Sequence, residues 1–293
     1  MLTFASKEKF VQWRNELGDE PVAVVMTMGA LHDGHRALIQ TAHEALKNQF
    51  HGVGKVVVTV FVNPTQFNEQ KDFDDYPQTL AQDEVFCREA GVDAVFAPTT
   101  QDMYPEGISN VQMLAPSHHA DVLEGPLRPG HFAGVVTIVS RLCDVVRPSI
   151  AVFGEKDYQQ LVVIRDLFAQ EQRDVGIIGV PTVRDSDGVA KSSRNARLSL
   201  TGRALAKHIP AAISLVQHAL AEGHTVSECA SQGMQYLMSQ PGVELEYCEI
   251  RTPDLELVTH PGTARLFIAL RIGQVRLIDN VPLEIGDENV TRR

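Results

Sequence analysis

The chain has no long apolar run, no paired-cysteine motif and no surplus of positive charge, and each absence removes a class of function. No stretch approaches the about 18 consecutive apolar residues that a membrane-spanning helix needs. The opening MLTFASKEKF lacks the apolar core of a secretory signal. Among Cys87, Cys143, Cys229 and Cys248 there is no C-x-x-C spacing. That speaks against a zinc ribbon or a redox dithiol, and for buried thiols in a reducing compartment. The cytoplasm is the expected location, with no membrane partner. With 26 Lys and Arg against 37 Asp and Glu, the formal net charge is −11, which disfavours nonspecific nucleic-acid binding. Neither G-x-G-x-x-G nor G-x-x-x-x-G-K-[ST] occurs, so neither the dinucleotide fingerprint nor a P-loop is supported. Internal repeats and low-complexity tracts are also missing.

What remains is a globular pattern. With 293 residues, of which 44% are hydrophobic, the chain can build one large domain or two ordinary ones. VAVVMT (22–27), KVVVTVFV (55–62), DAVFAP (93–98), IAVFG (150–154) and GIIGVP (176–181) read as buried strands, being short, rich in β-branched residues and not alternating. Helices are predicted over 6–17, 34–48 and 158–170, and another from Thr79, where T-L-A-Q fits a capping box. GVVTIVSRLCDVV (134–146) reads as a buried helix, although its valines leave a strand open. Alternating strands and helices predict an α/β fold, a Rossmann-like doubly wound parallel sheet. After Pro181 the pattern changes to helices near 201–222 and 225–239, then strands near 244–250, 264–270 and 274–279. The predicted organisation is therefore a domain at 1–182 and a smaller α+β C-terminal domain at 183–293. The tail GDENVTRR (286–293) is expected to fray.

In such a sheet, ligands bind beyond the carboxyl ends of the strands. MGALHDGH follows the first strand, NPTQF the second, GEKDYQQ the fourth, and KSSRN comes just after the fifth. The fold would bring them to one rim. His32 and His35 lie three residues apart, one helical face, at a predicted helix start where amides and dipole favour a phosphate. Neutral imidazoles would donate hydrogen bonds and imidazolium would add charge. The alternative is that Asp33 caps the helix and both rings face water. KSSRN offers a cation, two hydroxyls and a guanidinium, a grip for polyphosphate or an ordinary surface turn. Lys156 could neutralise a phosphate and Gln160 bind a polar substrate, against a plain helix start beginning at Asp157. Asn63 and Gln66 could bind a hydroxyl or carboxylate, against an Asn-Pro turn. GPLRPGHFAG (125–134) holds Arg128 and His131 in a glycine-rich loop that could serve as a lid.

Taken together and in this order, TMGALHDGH, VNPTQF, LEGPLRPGHFAGV, FGEKDYQQ and SSRNARLS resemble the pantoate–β-alanine ligase family, within the H-x-G-H nucleotidyltransferase superfamily. The resemblance implies ATP-dependent condensation of (R)-pantoate with β-alanine through a pantoyl adenylate, releasing pyrophosphate and AMP. It implies an ATP site of Met28, Gly29, Ala30, Leu31, His32, Asp33, Gly34 and His35, with Gly154, Glu155, Lys156 and Asp157. Val183, Lys191, Ser192, Ser193 and Arg194 complete it. His35, His32 and Lys156 would act in catalysis, Gln66 and Gln160 would hold pantoate, and Gln66 would lie near β-alanine. Mg²⁺ would ride with ATP, its protein ligands unspecified, and the functional form would be a homodimer.

Three positions depart from the family's habit. Met26 replaces a usual proline, LKNQFHGVGK (46–55) is longer than usual, and Lys191 stands where an apolar residue is common. Lysine at 191 is expected to lay its stem on the base and send its ammonium to water; the alternative is an inward phosphate contact. Two other readings are open to test: a relative that adenylates a phosphate, and a nucleotide-binding regulator without catalysis. Gln66 and Gln160 disfavour the first, because a phosphate acceptor would call for more cations. The set His32, His35, Lys156, Ser192, Ser193 and Arg194 disfavours the second.

Overall fold

Runs of valine and isoleucine become strands because both faces of the sheet they join are covered. The computed structural model describes residues 1–290. The chain divides into two compact units, Met1–Glu155 with Gln159–Pro181, and Lys156–Tyr158 with the residues from Thr182 onward.

In the first unit, β1 (Leu2–Phe4), β2 (Val22–Thr27), β3 (Lys55–Val60), β4 (Ala94–Phe96), β5 (Ile150–Gly154) and β6 (Gly176–Val180) form one sheet in the order β1-β4-β3-β2-β5-β6. Every pairing is parallel. This is the Rossmann-like arrangement. The edge strand β1 has no counterpart in the sequence pattern, since Leu2–Phe4 is only three residues and largely exposed.

The helices are α1 (Lys7–Glu16), α2 (Asp33–Gln49), α3 (Gln70–Asp74), α4 (Leu80–Glu89), α5 (Thr100–Met103), α6 (Glu124–Leu127), α7 (His131–Val146) and α8 (Tyr158–Gln170). On α2, Leu38, Ile39, Ala42, Ala45 and Leu46 are buried in the core that also holds Val25, Val56, Val58 and Val152. The valine-rich α7 is a helix despite its composition: it runs 16 residues, nearly all buried, and burial outweighs weak intrinsic propensity. Arg14 donates to the Val146 and Arg147 carbonyls at 2.9 and 3.1 Å, satisfying acceptors that its C-terminus leaves open. The capping box predicted at Thr79 is absent. Thr79 donates its hydroxyl to Asp83 Oδ2 at 3.1 Å and caps nothing.

Strand β2 sits between β3 and β5, which is where the order of strands reverses. The crevice outside such a switch point is the ligand position in open α/β sheets. The carboxyl ends of β2 and β5, Thr27 and Gly154, flank it.

The second unit contains α9 (Leu200–Leu205), α10 (His208–Ala221) and α11 (Val226–Met238), then β7 (Glu244–Arg251), β8 (Gly262–Ile272) and β9 (Val275–Ile285). The sheet is antiparallel in the order β7-β8-β9. The single helix predicted near 201–222 is two. Pro210, in the first turn of α10, has no N–H to bond back to residue 206, so one continuous helix cannot pass through it. Ala212, Ile213, Val216, Cys229 and Leu237 share a core with Leu266, Ile268 and Leu270. The tail is not frayed as far as Val290: Asn289 is buried and donates to the Leu220 and His224 carbonyls at 2.9 and 2.8 Å. Residues 291–293 lie outside the described residues. Among the described residues, no helix is long and apolar enough to cross a membrane.

Candidate active site

The loop after β2 is built from the backbone outward. Thr27 Oγ1 donates to the Thr59 carbonyl at 2.8 Å and accepts the Gly29 N–H at 3.1 Å. The chain then turns through Gly29 at φ +84° and Ala30 at φ +52°, the latter an unfavourable conformation for a residue with a Cβ. Asp83, from α4 and only 2% exposed, holds it there. Its Oδ2 accepts the Ala30 N–H at 3.1 Å and its Oδ1 the Leu31 N–H at 2.8 Å. A charged acceptor buried on two main-chain donors is a strong clamp.

His32 is the N-cap of α2, so Asp33 is not the capping residue. The His32 Nδ1 accepts the Gly34 N–H at 3.1 Å, and the His35 Nδ1 accepts the His32 N–H at 3.1 Å. The two imidazoles thus form a capping box, a role usually given to Ser or Thr with Glu or Gln. A backbone N–H can only donate, so both Nδ1 atoms are acceptors and both rings carry their proton on Nε2. The rings lie with centroids 4.2 Å apart. The two rings are tilted by 49° to one another. Gly34 is required by this packing, because a Cβ there would stand 2.8 Å from His32 Cε1.

The NPTQF turn lies beside this loop: the Gln66 amide nitrogen is 3.2 Å from Met28 Sδ. Asn63 is 1% exposed and its amide is committed to Thr65, Tyr104, Gln66 and Gly134. It is a support rather than a substrate contact. The predicted lid is also a support. Residues 131–134 are the first turn of the buried α7, and His131 Nδ1 donates to the Gln66 carbonyl at 2.8 Å. Gln159, buried, bonds Glu124 N–H and the His119 and Val122 carbonyls, which ties the segment before α7 to α8. Its neighbour Gln160 is half-buried on α8. Gly154 ends β5 at the switch point and Glu155 follows it.

The other predicted residues belong to the second unit. Asn280 donates to the Lys156 carbonyl at 2.8 Å, and the Arg265 guanidinium stacks 3.9 Å over the Tyr158 ring. Lys156 Nζ is 3.8 Å from Asp157 Oδ1, a loose contact. Lys191 N–H donates to the Val183 carbonyl at 2.9 Å, closing a hairpin whose base is held by the bidentate pair Arg184–Asp279 at 2.6 and 2.8 Å. The Lys191 ammonium lies 3.1 Å from Asp185, so it meets a carboxylate rather than the water expected first from the sequence. Ser192 Oγ accepts the Arg194 N–H at 3.2 Å and starts a single turn over Ser193–Arg197.

All four cysteines are buried thiols. Burial is the main cause that pushes Cys87, Cys143 and Cys248 up to about 12 and Cys229 to about 11. None offers a thiolate nucleophile at neutral pH.

A parallel sheet with a loop clamped at its switch point and a histidine-capped helix defines a Rossmann-like α/β protein, whose candidate binding rim is at the carboxyl ends of β2 and β5. The chain belongs to the pantoate–β-alanine ligase family: the family described as Pantoate-beta-alanine ligase matches residues 3–282. It is similar to the pantothenate synthetase of Mycobacterium sp. (strain KMS), 45% identical over 265 residues, covering 90% of this chain and 82% of that one. The pantothenate synthetase of Thermus thermophilus superposes with a TM-score of 0.87 at 38% identity, covering 96% of this chain and 99% of the other. The pantoate–β-alanine ligase of Francisella tularensis, complexed with β-γ ATP and β-alanine, gives 0.79 at 34% identity, covering 96% and 97%.

Proposed function

We propose that this ligase condenses (R)-pantoate with β-alanine in two steps. The pantoate carboxylate attacks the α-phosphate of ATP, forming pantoyl adenylate and expelling pyrophosphate. The β-alanine amine then attacks the acyl carbon and expels AMP. The observation that carries this reading is the imidazole capping box at the helix N-terminus that follows β2, which leaves the proton of each ring on Nε2. Such donors stabilise the charge that develops on phosphate oxygens during attack, and the helix amides add to them. That the Francisella relative is a complex with β-γ ATP and β-alanine supports the substrate assignment.

In this reading His35 and His32 act on the α-phosphate and Lys156 offsets its charge. Met28 to His35, Gly154 to Asp157, Val183 and Lys191 to Arg194 bind ATP. Gln66 and Gln160 hold pantoate, and Gln66 lines the β-alanine path. Both steps need positioning and charge neutralisation more than a protein nucleophile, in keeping with the buried thiols. Mg²⁺ would arrive as part of the ATP substrate. Asp83 does not suit it as a ligand, because both its oxygens are spent on Ala30, Leu31 and Thr79. The working form is a homodimer in the cytoplasm, the first half of which light scattering tests. Pantoate labelled with ¹⁸O in its carboxylate tests the chemistry. One label should pass to AMP, and pyrophosphate should be released in a burst without β-alanine. Label-free AMP, or no pyrophosphate until β-alanine is added, would overturn the adenylate.

A further inference from the structure

The amide of Gln66 has one allowed orientation, and it is set from a distance. Asn63 Oδ1 faces the Thr65 N–H at 3.4 Å, which can only donate, and Asn63 Nδ2 faces the Gly134 carbonyl at 3.2 Å, which can only accept. The Asn63 amide is therefore assigned without ambiguity. Its shortest partner is the hydroxyl of Tyr104, which donates to Oδ1 at 2.7 Å. The second Nδ2 hydrogen reaches Gln66 Oε1 at 3.1 Å. The acceptor end of Gln66 is thereby occupied, and its Nε2 is the end beside Met28.

Tyr104 is fully buried at the end of α5, 41 residues from Asn63 along the chain. Arg141 fixes its ring from one face, its guanidinium 4.9 Å from the ring centroid, and donates to the neighbouring Met103 carbonyl at 2.6 Å. The same hydroxyl also lies 3.2 Å from Thr65 Oγ1, and a phenyl ring would fill the same space without either contact.

We propose that Tyr104 is a positioning residue for the pantoate site, acting through Asn63 to hold Gln66 with its Nε2–H₂ group toward the substrate. The site then selects an acceptor oxygen, a carboxylate or the lone pair of a hydroxyl, at Gln66. This rests on the proposed pantoate role of Gln66.

Steady-state kinetics of Tyr104→Phe, Gln66→Ala and the double variant test it. Tyr104→Phe removes the hydroxyl's contacts with Asn63 and Thr65 and should raise the KM for pantoate about three- to tenfold, with the KM for ATP and the melting temperature little changed. In the Gln66→Ala background the same change should have less than about a twofold effect, because the group it orients is gone. Asn63→Ala, which removes the middle of the relay, should reproduce the pantoate-specific defect. Multiplying effects in the double variant, or equal rises in both KM values, would show a general structural role and overturn the relay. A defect in Gln66→Ala with none in Tyr104→Phe would overturn the relay alone. No defect in Gln66→Ala would overturn the assignment of Gln66 and the relay with it.

Discussion

The loop Met28–His35 and the hairpin and turn that carry Val183 and Lys191 to Arg194 are both proposed to bind ATP, yet they are held by different means. The first is fixed by part-buried hydrogen bonds to main-chain groups: the buried Asp83 on Ala30 and Leu31, and each imidazole on the backbone of its neighbour. The second is held at its base by Arg184 on the buried Asp279, and beyond that by partly exposed charges. Asp185 meets Lys191 at 3.1 Å and Arg203 at 2.9 Å, and Asp187 meets Arg203 at 2.9 Å and Lys207 at 3.8 Å. Buried polar contacts fix geometry and punish the loss of one partner. Surface ion pairs are weak singly and screened by salt. In the proposed function the reacting phosphate would meet a surface set by main-chain hydrogen bonds, while the distal charge of the nucleotide would meet one held largely by ion pairs.

The sharpest way to break the comparison is at His35. His35→Ala removes an Nε2–H donor and half of the capping box, and should lower kcat by roughly 10²- to 10³-fold, the range for one lost oxyanion donor. A change confined to the KM for ATP would mean uniform binding and put His35 with the ion-paired hairpin. Next is Asp83→Ala, which strands two main-chain donors at a turn with positive φ. Chemical denaturation should show a loss of about 3 kcal/mol, together with a higher KM for ATP. A loss under about 0.5 kcal/mol would mean that the loop holds itself.

The hairpin should give smaller effects, and ones that depend on salt. Arg194→Ala should raise the KM for ATP more than about tenfold, since guanidinium can grip phosphate oxygens bidentately. Lys191→Met should change it by less than about tenfold, because its contact with Asp185 is worth about 0–1 kcal/mol. Kinetics at two salt concentrations would contradict this if Lys191→Met were as damaging as Arg194→Ala and flattened the salt response. The smallest effect is on Asp187. Desolvation pushes its carboxyl up, but hydrogen bonds from Arg203 and the Val189 N–H, with the charges of Arg203 and Lys207, leave it below the ordinary 3.8. A lowered carboxyl contributes stability that is complete above the ordinary value and is lost as pH falls through the lowered one. Asp187→Asn should therefore narrow its difference from the parent in acid melts, and a difference that grew with acidity would contradict the pairing.

Sequence pattern reached as far as local physics does. The strands Val22–Thr27 and Ile150–Gly154 were legible to the residue because buried β-branched runs have few alternatives. The pair His32 and His35 was legible because its spacing is a single helical turn. Its capping geometry was not, since imidazole is not among the usual N-cap side chains. Asp83 and Tyr104 carried no local signal: they meet the loop and Asn63 across 53 and 41 residues of chain. Their roles come from tertiary placement alone. Arg128 and His131 were visible, but a glycine-rich stretch reads the same whether it is a lid or the first turn of a buried helix. The packing of α7 decides it.

The central claim is that both imidazoles stand ready as Nε2–H donors before any substrate binds. Nitrogen NMR of ¹⁵N-histidine-labelled protein near neutral pH, with His32 and His35 assigned through single substitutions, tests it most directly. The account predicts that in both rings Nδ1 is unprotonated and Nε2 carries the proton, with the pattern unchanged on adding ATP. A protonated Nδ1 on either ring, as the other tautomer or as imidazolium, would contradict it.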